Sequence, residues 1–126
     1  MAEPPPALEE ARLAAIRAAL EELQAEYAQE LPGLIAELVQ ATTAACSSRS
    51  ETDLRHLQTL AHRMHGAAGS YGFKPVSVAA AKMEELLATR QESLAPFDEA
   101  LQGEVRIALS AVQAAARSEL ERLGAK

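Results

Sequence analysis

Apolar residues recur along the chain at alternating spacings of three and four, the period of one helical face. Leu13, Ile16, Leu20, Leu23 and Tyr27 form the first such stripe, with Glu21, Glu22 and Glu26 between them, which predicts an amphipathic helix from Ala7 onward. Pro32 and Gly33 interrupt it, and a second stripe of Leu34, Ile35, Leu38 and Val39 runs on to about Cys46, as a kinked continuation or a separate element. Upstream, Glu3-Pro4-Pro5-Pro6 lacks the N–H groups that a helix start needs, so residues 1–6 read as a disordered tail and 7–126 as the folded unit.

Three further stripes follow. Ser47-Ser48-Arg49-Ser50 is a polar loop, and Ser50 followed by Asp53 resembles a capping box, so a helix is expected there on Leu54, Leu57, Ala61, Met64 and Ala68, with Gly72 as terminator. Pro75 suits the first turn of the next helix, carried by Val76, Ala79, Ala80, Met83, Leu86 and Leu87 and ending near Arg90. Pro96, Asp98 and Glu99 mark the start of the last, which runs to about Leu123 on Leu101, Val105, Ala108, Val112, Ala116 and Leu120. Long amphipathic helices with short connections pack most simply as an antiparallel up-down four-helix bundle, each burying one stripe in a common core. The expected class is all-α.

Composition sharpens this. The 126 residues include 28 Ala and 17 Leu, which favour helix and let helices approach closely. A net charge of -6 repels a phosphate backbone, and no basic cluster with interleaved aromatics offsets it, so nucleic acid is not an expected partner. No apolar run reaches the roughly 20 residues of a membrane span and no signal peptide is evident, so the expected compartment is the cytoplasm. One cysteine, Cys46, excludes an internal disulfide and a multi-thiolate metal site. Nucleotide-binding and hydrolase signatures are missing, so no autokinase or other nucleotide-driven activity is expected.

The segment Ala61-His62-Arg63-Met64-His65-Gly66-Ala67-Ala68-Gly69-Ser70-Tyr71-Gly72 stands out, because two mid-helix glycines cost about 1 kcal/mol each relative to alanine. His62 lies roughly 140° from the apolar stripe and so faces solvent. Helical side chains lean toward the N-terminus, so residue 66 would normally cover His62, and it is a glycine. With Gly69 on the same side, the surface offers an uncovered imidazole beside a smooth patch, as suits a nucleophile that meets its partner in trans.

His62-Arg63-Met64-His65-Gly66, the small residues after it and Gly72 resemble the signature of histidine phosphotransfer (HPt) domains. The resemblance implies a four-helix bundle in which His62 takes a phosphoryl group from an aspartyl phosphate of a receiver domain and passes it on, with Gly66 giving the receiver access. Gly69 and Arg63 are expected in the docking surface with Gly66. The implied partners are response regulator receiver domains and a hybrid histidine kinase. No cofactor is expected on the chain itself, the Mg²⁺ of aspartyl transfer being held by the receiver. The usual Lys or Arg three residues after the nucleophile is His65 here, and an imidazole of ordinary pKa, about 6.5, is only partly cationic at pH 7. Arg55, two turns earlier on nearly the same azimuth, is a candidate to compensate.

Folding the chain back about Phe73 sets position 84 opposite position 62, so Glu84 is a candidate to accept a hydrogen bond from the imidazole and fix its tautomer. The competing readings are a helical adaptor in which His62 is a plain surface residue, and a metal site built from His62, His65 and Glu84. His56 reads as a solvated residue, Met64, Met83 and Tyr27 as core, and Leu57, Leu60 and Phe73 as either core or the rim of the docking patch. A freestanding monomer is expected, although the first helix carries a stripe that could pair with a copy of itself.

Overall fold

A computed structural model describes residues 6–124 as four helices: α1 (Pro6–Ser48), α2 (Glu51–Ser70), α3 (Lys74–Ser93) and α4 (Glu99–Arg122). The expected tail falls outside the described residues except for Pro6, which opens α1. Successive helices pack on one another and α4 closes against α1, while the diagonal pairs do not meet, so the chain is an up-down bundle. None of the described helices is long and apolar enough to cross a membrane.

The helix ends follow from local chemistry. Arg49 takes a left-handed conformation after α1, and Ser50 then caps α2 by accepting from the Asp53 N–H at 3.1 Å. The return arm of this cap runs through Ser48, whose hydroxyl donates to the Asp53 carboxylate at 2.5 Å and accepts from the Ser50 N–H at 3.1 Å. At the other end of α2, Phe73 N–H donates to the Ala68 carbonyl and Gly72 N–H to that of Gly69, with Gly72 at φ 84°, a Schellman closure that a side chain would strain. A Cβ at Gly72 would also stand 2.8 Å from the Gln24 amide nitrogen, which donates to the Tyr71 carbonyl and ties α1 to this turn. Asp98 caps α4 through the Leu101 N–H.

The core is filled by Leu31 and Leu38 of α1, Leu57 of α2, Phe73, Val76 and Met83, and Val105 and Val112 of α4. Tyr27 lies between Tyr71 and Phe73, ring centroids 5.1 and 5.3 Å away, and burial pushes its hydroxyl pKa up to about 12, with the nearby Glu30 adding to the effect. The stripe expected on α2 is the buried set of that helix, residue for residue. Of the three residues left between core and rim, Leu57 and Phe73 are fully buried, and Leu60 is half-buried. Their burial removes the first two from any docking rim. Cys46 is buried near the end of α1.

Two expectations about α1 are settled. The helix runs unbroken through Pro32, because Tyr27, Ala28, Leu31 and Leu38 on either side are held in the core and tertiary packing offsets the backbone hydrogen bond that proline cannot make. Its first stripe, in contrast, does not join the core: Leu13, Ile16 and Leu20 are about half exposed and only Tyr27 is buried. Length explains this, since 43 residues extend about 65 Å whereas the 20 to 24 residues of the other helices extend about 30 to 36 Å. The first turns of α1 overhang the bundle.

Candidate functional site

Gly69 and Ser77 set the geometry of the site. A Cβ at Gly69 would stand 3.1 Å from the Ser77 hydroxyl, so the missing side chain lets α3 come close to α2. Ser77 uses that proximity to donate to the His65 carbonyl at 2.8 Å. Two turns further along α3, Glu84 then reaches the outer face of α2. Gly69 is thus turned toward α3 as well as toward solvent, a role that its spacing from Gly66 did not reveal.

His62 projects from the middle of α2 with 72% of its side chain exposed. Its Nδ1 stands 3.0 Å from Glu84 Oε1, and Nδ1 of His65 stands 3.1 Å from Oε2 of the same carboxylate. A carboxylate only accepts, so each ring donates from Nδ1 and carries its lone pair on Nε2. Burial pushes the Glu84 carboxyl pKa up, but the hydrogen bonds from His62 and His65, together with the electrostatic attraction of those rings, outweigh it and hold the carboxyl below its ordinary value of 4.5. The three side chains form one hydrogen-bonded unit in which Glu84 fixes the orientation of His62.

The surroundings of His62 are open. A Cβ at Gly66 would meet nothing within 4 Å, so no neighbouring element covers the imidazole there. On the N-terminal side, Arg55, Gln58 and Thr59 line a shallow cleft of about 290 Å³ with His62 and Glu84. Arg55 therefore shares a cleft with His62, as its azimuth suggested. Gln58 and Thr59, one turn before His62 on the same face, went unnoticed in the sequence, although their spacing was the available signal. Arg63 is not in this cleft. It lines a groove between α1 and α2 with Leu60, Glu30 and Glu37. His56 is exposed and outside the cleft. Among the described residues no group of three or more His, Cys, Asp or Glu that could hold a metal ion is found, and in the His62–His65–Glu84 unit both Nδ1 atoms face the carboxylate rather than a shared centre.

The His62 of the sequence signature is thus an exposed imidazole on a four-helix bundle, hydrogen-bonded to the Glu84 that folding back about Phe73 set opposite it. A family model described as Hpt domain matches residues 20–115. The chain belongs to the Hpt domain family. No curated protein and no solved structure gives a significant match. As an Hpt domain it takes part in histidine phosphotransfer in two-component signalling, where such domains work with receiver domains and histidine kinases. The match begins inside α1, at residue 20, and leaves out most of the overhanging segment.

Proposed function

We propose that this Hpt domain relays a phosphoryl group between aspartates of receiver domains through phospho-His62. The observation that carries the reading is the Nδ1 contact of His62 with Glu84, which leaves Nε2 as an outward-facing nucleophile. In the accepting step the Nε2 lone pair attacks the phosphorus of a receiver's aspartyl phosphate. The N–P bond forms, the P–O bond to the aspartate breaks, and the electron pair leaves on that carboxylate. Nε2 carries no proton to be removed, and Nδ1–H stays on Glu84 throughout. The resulting phosphoramidate is reactive enough to pass the group to a second receiver's aspartate by the reverse displacement.

His65 supports the reaction through Glu84 rather than by pointing its Nδ1 at the phosphoryl group, and Arg55 in the adjoining cleft supplies a permanent cation. Gly66 keeps the approach open, while Arg63 and the surface of α2 beside it take part in docking.

The test is incubation with a panel of phosphorylated receiver domains, comparing wild type with His62→Gln for acid-labile, base-stable label. Label on wild type alone is expected. Equal label on both proteins would move the nucleophile away from His62, and label on neither across the panel would favour the adaptor reading.

A further inference from the structure

Leu13, Ile16, Leu20 and Leu23 are 51, 52, 51 and 42% exposed. They are nevertheless placed as core residues are. Leu13 and Leu20 precede the fully buried Leu31 and Leu38 by five whole turns at about 3.6 residues per turn, so the uncovered stripe faces the same side of α1 as the bundle core. The alternating spacing of three and four makes it a coiled-coil seam, with these leucines and the isoleucine at the a and d positions. Leu13 and Ile16 lie outside the residues that match the Hpt domain, Leu20 and Leu23 stand at their very start, and the stripe is on α1, so receiver docking on α2 gives no account of it.

We propose that the overhanging part of α1 pairs antiparallel with the same segment of a second copy of this chain. In that register Leu13 meets the second copy's Leu23, and Ile16 its Leu20, about a two-fold axis beside Ala18, so every layer of the seam is apolar. The flanking charges choose this orientation. Antiparallel pairing sets Arg12 opposite Glu26 of the second copy twice, against one juxtaposition of Arg17 with itself at the axis. Parallel pairing would set Arg12 against Arg17 twice, with no opposite-charge pair in exchange.

Shape agrees. Because each bundle lies on the stripe side of its own α1, a parallel pair would drive two bundles into the same space, whereas an antiparallel pair sends them to opposite ends. Four apolar side chains from each copy make a small contact, so the dimer is weak and concentration-dependent. The proposal departs from the monomer expected from the sequence and takes up the self-pairing that the first-helix stripe also allowed. His62, on α2, remains free in both copies.

Sedimentation of the full chain over a range of concentrations tests the proposal. A shift from monomer to dimer mass is expected, and its loss in Leu20→Glu, an exposed substitution that leaves the bundle core untouched. A monomer mass at every concentration would overturn the pairing, as would a dimer that survives Leu20→Glu. Orientation is read by cross-linking single-cysteine variants under oxidation, with the wild type as the control for buried Cys46. Ala19→Cys, beside the two-fold axis, is expected to cross-link and Leu13→Cys is not. The opposite result would establish a parallel pair and overturn the antiparallel one.

Discussion

Glu84 serves two imidazoles at once, and that sharing has a measurable effect on stability. Its carboxyl is held below 4.5 in the folded chain, so its favourable contribution is present in full above that value and is lost as pH falls through the depressed one. In Glu84→Gln this titration is gone. The fall in Tm on acidification through the carboxylate range is expected to be shallower in the variant than in wild type, and equal slopes would mean that the imidazoles do not hold the carboxylate. Gly66 gives a second expectation. Alanine is worth about 1 kcal/mol more than glycine inside a helix, and its methyl would meet nothing, so Gly66→Ala should raise the urea midpoint while slowing phosphoryl transfer at His62. Equal or faster transfer in that variant would show that the missing side chain has no part in access. The His62–Glu84 pairing was legible because the two positions lie equally far from Phe73, and a tight hairpin of helices pairs such positions. The same mirror relates Gly69 to Ser77, a close approach that could have been found in the same way. What could not be read was His65 turning to the same carboxylate, since that depends on the side-chain orientation the finished site favours.

At the scale of the element, the caps carried the information. Ser50 with Asp53, Gly72, Pro75 and Asp98 each fixed a helix end, because their side chains or backbone freedom act within a few residues of where they stand. Pro32 was the ambiguous signal. A local rule ends or bends a helix there, and only the burial of Leu31 and Leu38, which depends on the helices packed against α1, keeps it whole. One helix end was invisible: α3 closes at Leu94, a residue in the left-handed region at φ 56° with 85% of its surface exposed. Leucine pays about 1–2 kcal/mol there and glycine would recover most of it, less its greater freedom when unfolded, so Leu94→Gly should stabilise the bundle by a net 0.5 to 1 kcal/mol or so. Paired urea titrations with equal slopes would show it as a higher midpoint. Arg90, in the last turn of the same helix, is buried and forms an ion pair with Glu51 at the start of α2, closing the end of the α2–α3 hairpin away from Phe73. The two residues are not equidistant from Phe73, and the sequence gave no sign of the clamp.

For the molecule as a whole, the bundle and the overhang are separable in energy. The stripe from Leu13 to Leu20 buries little within one chain, so a variant lacking residues 1–19 should unfold, when dilute, within about 0.5 kcal/mol of the full chain and accept phosphoryl groups as well. A large loss of stability would mean that the overhang braces the bundle. The fold class and helix order were legible from periodicity, which reports the face that each helix buries. The overhang was not, because an apolar stripe records that a face is to be covered without recording by what. One consequence concerns motion in solution. A helix of about 65 Å beside partners of about half that length makes the particle a rod, with greater friction than a sphere of equal mass and slower end-over-end tumbling than spinning about its long axis. Its elution volume on a sizing column would therefore overstate its mass even when it travels alone.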